Sequence, residues 1–159
     1  MISTRGYAVS GPGEPLQPFE FERHPPGPDD VLLELLYCGI CHTDLMLAAD
    51  ELNQSIYPMV PGHEMIGRAI AVGENVKRFS PGDIVGVGSV IDSCRSCAAC
   101  NAGDEHYCHE GFTLCFNALD RQGRPTYGGY STHYTVDQKY ALQVPAGLDP
   151  AGAAPLLCG

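Results

Sequence analysis

Residues 31–45 read VLLELLYCGICHTDL, and this stretch contains both a buried strand and the beginning of a candidate metal site. Val31–Tyr37 is almost continuously apolar, which is typical of a strand enclosed within a sheet. Residues 41–44, Cys-His-Thr-Asp, follow directly. Side chains able to bind a metal or carry a proton are therefore expected where the strand ends.

The remainder of the chain predicts a single, mainly β domain. Nineteen Gly and thirteen Pro punctuate the 159 residues, and no window of ordinary helix length has a 3.6-residue period. One short helix is predicted at Thr43–Glu51, with Thr43 as its cap. The expected fold is a small β barrel with short helices and one cysteine-rich excursion. The predicted strands are Tyr7–Ser10, Phe19–Glu22, Val31–Tyr37, Met65–Val72, Asp83–Val87, Tyr130–Val136 and Tyr140–Val144.

The net charge of −10 argues against a nucleic-acid partner, because phosphate binding needs clustered Lys and Arg. Met1–Gly11 lacks the pattern of a signal peptide, and no apolar run is long enough to span a membrane. We therefore expect a cytoplasmic protein without a membrane partner. A reducing compartment favours metal-binding or catalytic roles for the eight cysteines over disulfides.

Four cysteines form a C-x2-C-x2-C-x7-C pattern in a lobe expected at about residues 92–109. Such a loop has too few apolar side chains to order itself, and four thiolates suit a structural zinc ion that supplies the folding energy. Three of the positions also match the spacing of a bacterial iron–sulfur cluster, and two disulfides are a further alternative. We expect no regular secondary structure in this stretch. The four residues are Cys94, Cys97, Cys100 and Cys108.

A second constellation combines Cys41 with residues 62–64, Gly-His-Glu. A single Cys or His is usually a packed core residue, but here two such segments flank a β framework, which indicates a three-ligand catalytic zinc site. Cys158 is the candidate third ligand, and Cys115 is its competitor but is better explained as a packed thiol. Cys38 is three residues before Cys41, so on a strand it faces the opposite side and belongs to the core.

Taken together, these motifs resemble the zinc-containing medium-chain alcohol dehydrogenases, most closely their cinnamyl-alcohol-dehydrogenase-like branch. The matching segments run in the family's order and cover essentially the whole chain. The resemblance implies a GroES-like β barrel over residues 1–159, followed in full-length relatives by a Rossmann domain that is absent from this chain. It also implies a homodimeric full-length enzyme. The matching segments are CGICHTDL (38–45), YPMVPGHEMIGR (57–68), GDIVGVG (82–88), DSCRSCAACNAGDEHYC (92–108), GGYS (128–131) and APLLCG (154–159).

The resemblance also implies two zinc ions. Glu64 is the carboxylate that approaches the catalytic zinc as an alternate ligand. The remaining ligands implied for that ion are Cys41, His63 and Cys158. Those implied for the structural zinc are Cys94, Cys97, Cys100 and Cys108.

Further roles follow from the same resemblance. Asp44 is implied to orient His63 and tune the metal, and Thr43 to relay the substrate proton. His42 is implied to lie near the cofactor's pyrophosphate. Met46 stands where many relatives have a histidine that ends the proton relay, so water or ribose hydroxyls are expected to serve instead. Met46 is also compatible with a core position on the helix.

The implied reaction transfers hydride between a small primary alcohol or aldehyde and NADP(H). Two alternatives remain open at this point: a polyol or threonine-type zinc dehydrogenase, and a non-catalytic zinc-binding module. No G-x-G-x-x-G motif follows a strand in this sequence, so we expect the isolated domain neither to bind cofactor nor to turn over. Because no helix follows Cys158 to fix it, we also expect a weakened catalytic zinc site.

Overall fold

A computed structural model describes all residues 1–159, and it is mainly β with short helices, as the sequence predicts. No helix in it is both long and apolar enough to cross a membrane. The strands are β1 (Ile2–Ala8), β2 (Gln17–Arg23), β3 (Asp30–Cys38), β4 (Met65–Val72), β5 (Ile84–Val87), β6 (Val90–Asp92), β7 (Thr113–Leu114), β8 (His133–Asp137) and β9 (Ala141–Gln143). The α-helices are α1 (His42–Ala48), α2 (Ala98–Ala102) and α3 (Pro150–Ala153).

The central sheet has five antiparallel strands in the order β8-β3-β4-β5-β9 and curls into a half-barrel. β3 pairs on one side with β4 and on the other with β8, which confirms the prediction of an enclosed strand. Val31 and Leu33 are fully buried in the core that this sheet forms. Pairing and burial of β3 therefore fix the position of its carboxyl end and of the residues that follow it.

Two smaller sheets complete the β structure. β1 and β2 form an antiparallel pair, and β6 and β7 form another at the base of the cysteine-rich segment. The predicted strand at Tyr7–Ser10 is wrong in its bounds, because pairing with β2 runs from Ile2 to Ala8. Thr4 is fully buried there and donates its hydroxyl to the Ile2 carbonyl, so a polar residue at a core position hid the alternation.

The predicted helix at Thr43–Glu51 is present but displaced. Cys41, not Thr43, occupies the N-cap of α1. The Asp44 carboxylate accepts a hydrogen bond from the Cys41 amide at 3.0 Å, which is the reciprocal half of a capping box. After Ala48 the chain turns away, with Asp50 in the left-handed region (φ 56°) and its carboxylate accepting two following amides.

The absence of regular structure predicted for Cys94–Cys108 is also wrong. α2 forms one short turn that begins after Cys97, and Gly103 closes it in the left-handed conformation with φ 85°. A 3-10 turn follows at Glu105–Tyr107. A five-residue helix has too few positions to produce a readable apolar period, so cysteine spacing was the only signal in this stretch.

Candidate metal centres

The four cysteines of the lobe converge on one point. Their sulfur atoms all lie within 4.8 Å of one another, and all four thiols are free. The Cys94–Cys100 and Cys97–Cys100 sulfur pairs are 3.8 and 3.5 Å apart. Two thiolates on one tetrahedral zinc, each about 2.3 Å from the ion, are separated by about 3.8 Å. These distances fit a single ion better than a cluster, whose thiolates bind different iron atoms.

Backbone amides support thiolates in this lobe. The amide of Cys97 donates to the Cys94 sulfur at 3.3 Å, and the amide of His109 donates to the Cys97 sulfur at 3.4 Å. Hydrogen bonds from backbone amides, that of Ser96 first, lower the pKa of Cys94 to about 5. A thiol that ionises this easily is available at neutral pH as a thiolate, the form that binds metal ions.

Ion pairs fasten the lobe to the barrel. Arg95 donates to Asp137 of β8 at 2.6 Å, and it also donates to Asp92 within the lobe at 2.8 Å. Lys139 pairs with Glu105 from the barrel side. Because the arginine and lysine side chains are partly exposed, these pairs contribute little energy each and serve mainly to orient the lobe.

The second group of ligands forms where β3 ends and β4 begins. One ligand atom from each of Cys41, His63, Glu64 and Cys158 lies within 4.8 Å of the others. The Cys41 and Cys158 sulfurs are 3.8 Å apart, again the separation expected for two thiolates on one zinc. Cys41 is partly buried, His63 and Glu64 are buried, and Cys158 is exposed. One face of the site is therefore open.

Cys158 reaches this site through the C-terminal turn. Leu157, beside it, packs with Ile66 and Ala154 in a small apolar cluster. The Leu157 side chain also lies on Gly86, where an added Cβ would be 3.2 Å away from it. Packing of Leu157 thus places the neighbouring Cys158 sulfur 3.8 Å from that of Cys41.

Asp44 is a hydrogen-bond centre behind the ligands. Its Oδ1 accepts from the Gly62 amide at 2.9 Å and lies 3.1 Å from His63 Nδ1. Its Oδ2 accepts from the Cys41 amide and from the Tyr130 hydroxyl, at 3.0 and 3.2 Å. Burial opposes ionisation of Asp44, but the bonds from His63, Cys41 and Gly62 outweigh it and lower the pKa of the carboxyl. The hydrogen bond between His63 and Asp44 also raises the pKa of His63.

This contact orients the imidazole for metal binding. A His63 ring that donates Nδ1–H to Asp44 leaves Nε2 unprotonated, which is the form that coordinates zinc. The ring is 1 % exposed and stacks on Phe116 with 5.6 Å between centroids. His63 therefore has one orientation and one free nitrogen.

Glu64 provides the clearest test of whether these residues suit a metal ion. Its Oε2 is buried and has no hydrogen-bond partner. An unpartnered buried carboxylate oxygen is costly unless a cation compensates it. Gly39 makes room for this group, because a Cβ at that position would overlap the Glu64 carboxylate. The donor set of two thiols, one imidazole and one carboxylate fits zinc.

The remaining predicted site residues lie around this group. Thr43 lies on the first turn of α1, with its Oγ1 3.6 Å from the Cys41 sulfur, and a hydrogen bond from its backbone lowers the pKa of that thiol. His42 is exposed. Met46 packs against the main core, in keeping with the core description. A thioether carries no proton, so the chain holds no relay group at this point.

The other two cysteines stay outside both groups. Cys115 is fully buried in the main core, and burial raises the pKa of its thiol well above the usual range. Cys38 packs against the same core, and burial raises its pKa to about 12. Sequence reasoning missed Tyr130 and Gly39 as contributors. The GGYS segment was the only signal for the tyrosine.

The sequence of this chain is similar to known proteins along most of its length. Residues 27–146 match the sequence model of the alcohol dehydrogenase GroES-like domain. Cinnamyl alcohol dehydrogenase 2 of Oryza sativa subsp. japonica is 45 % identical over 153 residues, which are 96 % of this chain and 42 % of that protein. Probable cinnamyl alcohol dehydrogenase 8A of the same organism is 48 % identical over 153 residues, again 96 % and 42 %.

Solved structures agree. A cinnamyl alcohol dehydrogenase from Sorghum bicolor superposes with a TM-score of 0.95 at 42 % identity, covering 99 % of this chain and 45 % of that one. CAD from Helicobacter pylori complexed with NADP(H) gives a TM-score of 0.94 at 40 % identity, covering 99 % and 46 %. These matches confirm the GroES-like fold. The chain spans less than half the length of each relative.

Proposed function

This chain belongs to the zinc-containing alcohol dehydrogenase family, and from that premise we propose that it is the catalytic portion of an alcohol dehydrogenase or aldehyde reductase. The reaction proposed is hydride transfer between a primary alcohol or aldehyde and NADP(H). The observation that carries the proposal is the convergence of Cys41, His63, Glu64 and Cys158 within 4.8 Å, with one ligand exposed. In a four-cysteine zinc site the protein fills all four coordination positions, so no position is open to a substrate.

We propose that residues 1–159 act as one catalytic unit with a structural zinc lobe at about 92–109. A Rossmann domain is proposed to hold the nicotinamide cofactor beside it, and the full-length enzyme is proposed to be a homodimer. Eight free thiols suit a reducing compartment, so we propose the cytosol.

Zinc held by Cys41, His63 and Cys158 would act as a Lewis acid on the substrate oxygen and favour loss of the alcohol's proton. Two thiolates balance the charge of the ion, so zinc with Cys41, His63 and Cys158 alone carries no net charge. Asp44 keeps the proton of His63 on Nδ1, which leaves Nε2 free for the metal. Glu64 supplies a carboxylate that can approach the metal when substrate is absent.

Thr43 is the proposed proton carrier. Its hydroxyl lies beside the Cys41 sulfur, next to the open face. It would accept the substrate's proton at Oγ1 and pass its own proton outward. Because Met46 cannot continue the relay, water or the cofactor's ribose hydroxyls would take that proton. His42, exposed at the start of α1, is proposed to contact the cofactor's pyrophosphate.

A chimera tests the proposal. This chain would replace the matching portion of the Sorghum bicolor enzyme, with which it shares 42 % identity. We expect NADPH-dependent reduction of cinnamaldehyde, with two zinc ions per chain. Cys158→Ser should abolish turnover, whereas Cys115→Ala, which removes a core thiol away from both metal sites, should retain it.

One result would contradict the proposal that this chain is part of an enzyme. A folded chimera that holds two zinc ions, binds NADPH and still turns over no alcohol or aldehyde would refute the catalytic proposal. It would favour the alternative of a non-catalytic zinc-binding module. Turnover confined to polyols or threonine would refute the primary-alcohol specificity and retain the enzyme.

A further inference from the structure

We propose that Arg23 and Tyr130 are positioning residues that fix Asp44, and through it His63, so that they set the zinc affinity of the Cys41–His63–Cys158 site. The inference rests on the metal site of the proposed function and extends it to two residues that touch no ligand. It concerns β2 and the segment 127–133, which bear no metal-binding side chains in either group.

The first observation is the pattern of donors around Asp44. Three of its four hydrogen bonds come from the ligand-bearing segments, namely from Cys41, Gly62 and His63. The fourth comes from the Tyr130 hydroxyl at 3.2 Å. Tyr130 is therefore the one donor to this carboxylate that comes from outside the ligand-bearing segments. Asp44 is 2 % exposed, so water has little access to replace it.

The second observation is that the backbone of residues 128–130 is hydrogen-bonded to residues 60–62, which lead into His63. Gly128 and Gly129 leave no room for side chains, since a Cβ would collide with the Pro61 carbonyl at the first and the Met65 side chain at the second. This close approach allows three successive amides to bond to the carbonyls of residues 60–62. The bonds run from Gly128 to Val60 (2.7 Å), from Gly129 to Gly62 (2.8 Å) and from Tyr130 to Pro61 (2.9 Å).

The third observation is Arg23, at the end of β2. Its guanidinium stacks over the Tyr134 ring at 4.4 Å and forms no ion pair with any carboxylate. Burial lowers its pKa to about 10, so it remains charged at neutral pH. All its acceptors belong to one segment: the carbonyls of Tyr127 (2.7 Å), Gly128 (3.1 Å) and His133 (2.7 Å), and the Ser131 hydroxyl (3.2 Å).

A cation whose acceptors all lie within residues 127–133 holds both ends of that segment. Arginine is suited to this task because its planar fork carries several donors in fixed directions, whereas a lysine ammonium is a single point. The hydrogen bonds thus run from Arg23 to the segment, from Tyr130 to Asp44, and from Asp44 to His63. Loss of an outer partner of a zinc-binding histidine typically weakens metal binding by about 10- to 100-fold.

Zinc competition with a chromogenic chelator measures the two sites separately in the purified chain. His63→Ala identifies which step of zinc release belongs to the three-ligand site, and the four-cysteine step is the internal control. We expect Tyr130→Phe to weaken the His63-dependent step by about tenfold and to leave the other unchanged. Tyr134→Phe is the matched control, because it removes a tyrosine hydroxyl bonded to the Cys115 carbonyl and not to Asp44.

Arg23→Lys tests the link between the two residues. We expect it to weaken the same step, and to add little in the Tyr130→Phe background because both changes interrupt one chain of contacts. Full additivity, or a Tyr130→Phe chain within twofold of wild type, overturns the inference. Equal weakening of both metal sites also overturns it, since that is a general loss of structure. A wild-type chain without any His63-dependent step refutes the proposed metal site itself.

Discussion

Replacing Asp44 by asparagine tests the hydrogen-bond arrangement at the three-ligand site while preserving side-chain volume. Each carboxylate oxygen of Asp44 serves two donors. An asparagine has one oxygen and one NH2 group, and the NH2 group cannot accept. Whichever way the amide is turned, one backbone amide, that of Cys41 or of Gly62, loses its acceptor and faces a second donor. The other group on that side, the Tyr130 hydroxyl or His63 Nδ1, can reorient or change tautomer and accept from the NH2 group.

The cost follows from burial. A buried donor left without an acceptor costs about 1–3 kcal/mol, and bonds to a charged acceptor lie at the upper end. One such donor, which has a charged acceptor in the wild type, predicts a loss of about 2–3 kcal/mol in the free energy of unfolding. For a chain of this size the urea slope is about 2 kcal/mol per molar, so the midpoint should fall by about 1–1.5 M.

The assay is urea unfolding of both chains at the same excess of zinc, with the slope checked for constancy. Asp50→Asn is the matched control, because only Oδ1 of Asp50 accepts hydrogen bonds, from the Gln54 and Ser55 amides. An asparagine there can keep its oxygen in that position, so the control should unfold like wild type. If the free energy of unfolding of Asp44→Asn lies within about 1 kcal/mol of the wild-type value, the hydrogen bonds to Asp44 do not contribute as argued.

Three further predictions concern the relay, the lobe and the packing of the glycines. In the chimera, Thr43→Val should lower kcat by about 100-fold with zinc content unchanged, because the hydroxyl that carries the proton is replaced by a methyl group; steady-state kinetics and metal analysis check this. Cys100→Ser should remove one zinc per chain and expose residues 92–109 to protease, with the barrel's strands still protected in hydrogen exchange. Gly128→Ala should destabilise the chain by about 2–3 kcal/mol, since its Cβ would meet two carbonyl groups, whereas Gly152→Ala in α3 meets only the Asp149 side chain and should be neutral or stabilising in thermal unfolding.

Sequence patterns predicted the strands best where apolar residues are continuous. Met65–Val72 is confirmed at both ends, and Val31–Tyr37 within one residue at each end. The N-terminal strand was misplaced because buried Thr4 broke the apolar alternation. The short strands β6 and β7 were missed, since two or three residues give no measurable period.

The four-cysteine set was predictable because metal binding needs particular atoms at short spacing, whereas Cys158, 117 residues from Cys41, was proposed as the remaining cysteine and from the family resemblance. What the sequence did not reveal was the support behind them. Tyr130 reaches Asp44 from 86 residues away, and Arg23 reaches the segment around Tyr130 from more than 100. Such contacts depend on the curl of the sheet, which no local pattern encodes. The cap of α1 was assigned to Thr43, although the backbone conformation places it at Cys41.

We propose that the chain binds two separate zinc ions, one of them at Cys41, His63 and Cys158. Elemental analysis of the purified chain for zinc and iron, with His63→Ala and Cys100→Ser alongside, tests it most directly. We expect about two zinc ions and no iron in the wild-type chain, and about one zinc ion in each variant. A single zinc in wild type that is unchanged in His63→Ala, or iron in place of zinc, would contradict it.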